Sequence, residues 1–470
     1  MRAEPLLFLL LPIQKRQSRI REGRSQIQEG HCGRAFSILF GVVLILVSCS
    51  SPTDATVGGA TEPVSEASET TAPREPDAGS AESDGGSETE SVSSQSAELE
   101  TVESESEPVQ SAEAQTTTVS TGNSELDLVI DELSAYVEEE RGLTFTNRPQ
   151  VELLDDDEFG EAWLDLVSQD AMEQATSYQD FTDIYRAMGI ISNDATLEEI
   201  WIRFGEAGVL GYYETDSEAI VLRNGEIDAL TRTTLVHELV HALEDQNFDL
   251  DREAYDDRND EINWAFSALA EGSARVIENR YRASLSDDEL AEERDAIAAL
   301  PRSVSFSEFN QSFLELQFGR YNYGEVFADA LWAEGQPALD EAFEEPPTAS
   351  ELILDPSSFI EGVAPDAPVD PPPADGNVFE EGVWGEAAWI ALLSDTFATS
   401  TALDLADGWG GDWFVAWRNG DDTCVRVDVA ADSADELSEY ESALLQWADA
   451  GSGRELTSPE PDLLRLTSCG

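Results

Sequence analysis

Thr231-Arg-Thr-Thr-Leu-Val-His-Glu-Leu-Val-His-Ala-Leu-Glu-Asp245 decides how the rest of the chain is read. Inside it, His237-Glu238-Leu239-Val240-His241 is an H-E-x-x-H pattern. The spacing predicts a helix on which positions i and i+4 share one face, so that two imidazoles can meet one ion. Glu238 stands beside them, placed to reach a water held there. Val236, Leu239, Val240 and Leu243 make an apolar stripe on another face, which gives the helix its own reason to be buried. Asp228 or Thr231 can cap its start, and Asn247 can stop it. The chain holds three histidines, of which these are two; His31 lies far upstream. A core helix needs neither imidazole for packing, so reading this segment as plain core leaves the pattern without a reason.

A second apolar helix is expected from about Ile262 to Tyr281. Glu271 falls on its stripe with Trp264, Ala268 and Ala274. A carboxylate there is costly unless it is paired or binds metal. Glu271 is therefore the expected third ligand, 30 residues after His241 (271 minus 241). Pairing with a buried arginine is its competing role, and Asp249 stays open as another ligand. His237, His241 and Glu271 would suit a catalytic Zn2+ ion that keeps one position for water, with Glu238 as the general base. An oxyanion donor must then come from Tyr321, Tyr323 or Arg275, because no histidine is left. A three-histidine site of the extended pattern would need Gly and His where Glu244 and Asn247 stand. A Ser-His nucleophile is excluded because both histidines of the folded part are already committed.

The formal net charge is -72 over 470 residues, and Lys15 is the only lysine. Such a surface repels nucleic acid, which is not expected as a partner. It suits a saline medium that screens self-repulsion; a melting temperature that does not rise with NaCl would count against that habitat. Cys424 and Cys469 can pair as a disulfide outside the cytoplasm.

Residues 1 to 35 are basic, and Phe36 to Val47 is an apolar run of signal-peptide length. Leu46-Val47-Ser48-Cys49 resembles the lipobox of bacterial lipoproteins, which implies cleavage and a lipid anchor at Cys49. The expected organisation is a lipoprotein-type signal peptide over 1–49, a disordered acidic Ser/Thr/Glu-rich tether over 50–124, a catalytic core over 125–300, and a C-terminal part over 301–470 that completes the domain. The fold class expected is α+β, mainly helical. Gly208 to Glu214 and Glu218 to Arg223 read as a hairpin, and a second hairpin and a final helix lie near the C-terminus. Tyr212 and Tyr213 are either substrate-facing or packed on the sheet. Phe159, Trp163, Leu166, Met172 and Tyr185 are candidate core positions. Pro346 to Asp375 reads as an ordered loop, and Gly408 to Asp412 as a tight turn.

From about Arg141 to Trp447 the chain resembles bacterial exported zinc metallopeptidases of the glutamate-zincin type. The resemblance is carried by Arg141-Gly142-Leu143, Gly211-Tyr212-Tyr213, the His237 to Gln246 segment, Ala268-Leu-Ala-Glu271-Gly272, Tyr321-x-Tyr323-Gly324-x-x-Phe327, Pro346-Pro347-Thr348 and Gly408-Trp-Gly-Gly-Asp412. It implies a zincin-like domain that hydrolyses peptide or protein substrates, with His237, His241 and Glu271 on zinc. The chain departs from the pattern at two positions. Relatives often carry an acid two places after the glutamate ligand, where Ser273 stands, and a thermolysin-like acid would occupy the position of Arg275. The group that orients the imidazoles is therefore unassigned. The rival reading is a surface-anchored binding module that kept the fold without catalysis; the intact Glu238 argues against it.

Overall fold

In the computed structural model the described residues are 42–44, 124–215, 217–252, 255, 260–300 and 303–470. Of the expected leader only strand β1 (Val42–Leu44) is among them; Cys49 and the expected tether up to residue 123 lie outside the described residues. Helix α1 (Ser124–Arg141) turns Ile130, Leu133 and Val137 inward at helical spacing. Strand β2 (Gln150–Leu154) follows, then helices α2 (Asp156–Glu173) and α3 (Ala175–Met188). Phe159, Trp163 and Leu166 are core, and Tyr185 packs against it half-buried. Met172 is a correction, because it is 71% exposed. It lies off the stripe set by Phe159, Trp163, Leu166 and Asp170, as a 100° step per residue requires.

Helix α4 (Leu197–Gly208) starts at a capping box of Thr196 and Glu199. It leads into the expected hairpin of β3 (Val209–Glu214) and β4 (Ala219–Arg223). The sheet order is β1-β3-β4-β2. Strand β2 joins β4 in parallel, so this sheet is mixed where an antiparallel one was expected. Tyr212 and Tyr213 are both interior: Tyr212 packs on Phe159 and Trp163, and the Tyr213 hydroxyl donates to Asp245 at 2.8 Å. Of the two readings of these tyrosines, packing on the sheet is the one found.

Helix α5 (Ala229–Phe248) crosses this sheet. Asp228 is its cap, accepting from the Thr231 amide at 2.8 Å; the Thr231 hydroxyl instead donates to the Glu226 carbonyl. The helix ends one residue past Asn247, and Asp249 terminates it at φ 61°. The stripe Val236, Leu239, Val240 and Leu243 is buried, but so is the opposite face, and α5 is enclosed nearly all round from Ala229 to Glu244. Its apolar side packs with Ile130 and Val137 of α1, Ile220 and Leu222 of β4, and Ala274 and Ile277 of the next long helix.

That helix, α6 (Asp260–Ser284), is followed by the acidic α7 (Asp287–Ala299) and then by α8 (Gln311–Glu334), which lies along α6. The close approach needs glycine on both sides. A Cβ on Gly272 would fall 2.0 Å from the Gly324 carbonyl oxygen, and one on Gly324 would fall 2.0 Å from the Ala268 carbonyl oxygen. Helix α9 (Gln336–Glu344) comes next. The Pro346 to Asp375 stretch is not wholly loop, since it holds α10 (Ser350–Leu354) and α11 (Pro356–Glu361). Each of these helices is only about a turn and a half, too short for apolar periodicity to show.

The remaining elements are β5 (Asn377–Gly382), α12 (Glu386–Ser394), α13 (Thr399–Ala406), β6 (Trp409–Asn419), β7 (Asp422–Ala431), α14 (Ala434–Asp449), β8 (Arg454–Glu460) and β9 (Leu463–Cys469). The expected hairpin of β6 and β7 and the final helix α14 are present, but the hairpin belongs to a five-stranded antiparallel sheet, β5-β6-β7-β9-β8. Cys424 and Cys469 face each other across β7 and β9 and form the disulfide. Of the Gly408 to Asp412 segment only Gly408 lies in a turn, and Trp409 to Asp412 are strand. These four residues begin β6 and are bulged against β7 between Trp409 and Asp412. Asp412 explains why. Its buried carboxylate accepts from the amides of Trp384 at 2.6 Å and Gly385 at 3.0 Å, and from the indoles of Trp389 at 2.7 Å and Trp409 at 2.9 Å. The fold class is α+β. Among the described residues no helix is long and apolar enough to cross a membrane.

Candidate metal centre

Helix α5 presents His237 and His241 on one face, as their four-residue spacing requires, and their ring centres are 4.8 Å apart. Helix α6 brings Glu271 against both. Its Oε2 lies 3.1 Å from His237 Nε2 and 3.4 Å from His241 Nε2. These three side chains are the one group of histidine, cysteine and carboxylate residues among the described residues that can hold a metal ion. For a tetrahedral ion with bonds of about 2.0–2.1 Å, neighbouring ligand atoms stand about 3.3–3.4 Å apart. The two distances to Glu271 Oε2 match that cage to within a few tenths of an ångström, and the three ligand atoms all lie within 4.8 Å of one another. His237, Glu238 and His241 have no solvent exposure, and Glu271 has 2%. Among the described residues, His241 Nδ1 has no hydrogen-bond partner. Asp249, left open as a ligand, caps the end of α5 and is outside the group.

The surroundings separate the three oxyanion candidates. The Tyr321 hydroxyl, from α8, donates to Glu271 Oε1 at 2.9 Å, and its ring stacks 6.2 Å from that of His237. Burial, and then the Glu271 charge, holds the Tyr321 pKa well above the ordinary tyrosine value, so it stays a donor. Tyr323 donates to Glu315 instead. Arg275 is held by Glu278, at 2.8 and 2.9 Å from its two oxygens. Only Tyr321 touches the ligand group.

Sequence reasoning missed Glu278. Its Oε2 lies 3.0 Å from His237 Nδ1, on the side of the ring away from Glu271. It stands seven residues after Glu271 (278 minus 271), one turn beyond the position where an acid was sought. The available signal was a second acid on the buried stripe, two turns on. Electrostatics follow from the geometry. Burial alone would lower the His237 pKa, but its two carboxylate neighbours raise it to about 10 in the metal-free protein. Burial would likewise raise Glu271 and Glu278. Both are held at about 2 instead, Glu271 by the two histidines and Glu278 by Arg275 and then His237.

The scaffold around α5 is charged as well. Arg141, at the end of α1, is 1% exposed, and its guanidinium carbon lies 5.6 and 5.5 Å from the centres of the Phe248 and Phe343 rings, which stack on each other. Its Nε donates to Glu244 Oε1 at 2.7 Å, and Ser273 of α6 donates to the same oxygen at 2.5 Å. Ser273 therefore ties α6 to α5 rather than reaching an imidazole. Comparison with protein-family models, with curated proteins and with solved structures finds no match to this chain.

Proposed function

We propose that the protein is a zinc-dependent peptidase with a zincin-like catalytic domain. The convergence of His237 Nε2, His241 Nε2 and Glu271 Oε2 at metal-cage spacing carries this reading. Two nitrogens and one oxygen, three protein ligands in all, are the donor set of a catalytic zinc rather than a four-ligand structural one. Zinc bound there supplies Lewis acidity, making water acidic enough to lose a proton near neutrality and polarising a carbonyl.

The chain's own side chains do the rest. Glu238, adjacent to His237 and fully buried, takes the proton from the attacking water and returns it to the leaving amine. Tyr321, held protonated, turns its one hydroxyl hydrogen from Glu271 Oε1 to the oxygen on which negative charge develops. All four side chains, His237, Glu238, His241 and Glu271, are buried. Cleavage before Cys49 would lipidate the protein at the outer membrane surface and remove β1 with the leader. Strand β3 would then be an edge beside the second turn of α5, where Gly211 meets Thr234, free to pair with an extended peptide.

The test is zinc content and cleavage of a mixed peptide library by the chain cut at Cys49 and by its Glu238→Gln variant. Equal zinc in both, with cleavage reduced by about 10²–10⁴-fold in the variant, is expected. Zinc-loaded protein that cleaves nothing in either form would leave a non-catalytic binding module.

A further inference from the structure

The two imidazoles of the centre are not held alike. His237 is gripped on both nitrogens by one helix: Glu271 of α6 faces Nε2, and Glu278, two turns further along the same face, lies 3.0 Å from Nδ1. His241 Nδ1 has no such partner among the described residues. Glu278 is itself fixed. Arg275 spans both its oxygens at 2.8 and 2.9 Å, and Arg275 Nε lies 3.7 Å from Glu325 of α8. Glu325 in turn accepts from Asn279 at 2.7 Å. Glu278 is 4% exposed, so its bond to the ring is not in competition with bulk water.

An imidazole can bind a metal through Nε2 only if that nitrogen has no proton. A carboxylate at Nδ1 keeps the remaining proton on the far nitrogen and points the lone pair at the ion. We propose that Glu278, braced by Arg275, is the positioning residue that fixes His237 as the Nδ1–H form and so sets the metal affinity of the centre. This rests on the metal reading given above. It assigns to a position seven residues after the glutamate ligand the task left vacant at Ser273 and Arg275.

The experiment uses the chain cut at Cys49, labelled with ¹⁵N-histidine, and its Glu278→Gln and Arg275→Gln variants. Zn2+ affinity is read by competition with a chromophoric chelator, and the ring protons by long-range ¹H–¹⁵N spectra. With only two histidines in the chain so cut, the assignments are within reach. Glu278→Gln is expected to weaken Zn2+ binding about 10–100-fold and Arg275→Gln to weaken it less. The His237 Nδ1–H resonance should move upfield in Glu278→Gln while the His241 signals stay in place. A change in packing alone would not shift one ring selectively. Wild type and Glu278→Gln binding Zn2+ equally well would overturn this inference alone; a wild type that takes up no Zn2+ would overturn it together with the peptidase reading. Should Glu278→Gln fail to fold, an unchanged affinity in folded Arg275→Gln overturns the proposal.

Discussion

The hydroxyl of Tyr321 donates to Glu271 Oε1 at 2.9 Å, while Oε2 of the same carboxylate faces both imidazoles. The two oxygens of one side chain thus have separate duties, and Tyr321 keeps Glu271 turned so that a single oxygen points at the ligand nitrogens. Tyr321→Phe removes the donor and little volume. Cleavage should fall by about 10²–10³-fold, the usual loss for an oxyanion donor, with folding intact. Steady-state assays beside thermal melts check this; activity within a few-fold of wild type would remove Tyr321 from the chemistry.

Gly324→Ala tests the helix crossing that brings Tyr321 to Glu271. The added methyl would meet the Ala268 carbonyl oxygen, which is backbone and cannot swing aside. The helices must separate, at a cost of about 1–3 kcal/mol or somewhat more. Urea midpoints should drop, and zinc affinity should drop with them because the centre draws its parts from both sides of the crossing.

The Arg141–Glu244 pair makes a two-sided prediction. Removing Arg141 leaves the Glu244 carboxylate buried with Ser273 as its donor, whereas Arg141 without Glu244 still has the half-exposed Asp340 at 2.6 Å. Arg141→Met alone should destabilise by about 3–5 kcal/mol, whereas Arg141→Met with Glu244→Leu should recover most of that loss. Denaturant titration of the three proteins decides it; a double variant as unstable as the single one would show that the ion pair contributes more than its desolvation costs.

Stability should fall from pH 5 to pH 9. Burial raises Glu261 to about 8, and burial together with the Glu261 charge raises Glu386 to about 9. Both pKa values exceed those of the unfolded chain, near ~4.3. Their contribution is complete below that value and is lost as pH rises through 8 and 9, because the unfolded chain ionises freely and the folded one resists. His237 acts in the same direction in metal-free protein, so the informative comparison is with Glu386→Gln. That variant should show a markedly flatter decline of urea midpoint with pH. A wild-type profile that is flat or rising over this range would contradict the buried, protonated pair.

What was legible in the sequence was local. Two histidines one turn apart, an acid on a buried stripe, and a hairpin flanked by β-prone runs each announce themselves within a few residues, and the structure brings His237, His241 and Glu271 together. What was not legible depended on distant partners. Glu244 reads as a surface acid until Arg141, 103 residues away, is laid over it. The parallel pairing of β2 with β4 leaves no local mark. Glu278 was passed over because an acid was sought two and four places after Glu271, while helix geometry also permits seven. The glycines before Asp412 looked like a turn because the four donors that hold them in a bulged strand come from Trp384, Gly385, Trp389 and Trp409, whose convergence on one carboxylate no local pattern shows.

The Asp412 carboxylate has a consequence for where the protein can be shortened. It gathers the backbone entering α12 and two indoles around one point, and α12 in turn packs on α8, which carries Tyr321. A truncation anywhere before residue 412 would strip the acceptor from those four donors and loosen the wall behind the ligand helices. The far sheet therefore belongs to the smallest unit that keeps His237, His241 and Glu271 together, and a fragment ending after α8 should not hold zinc.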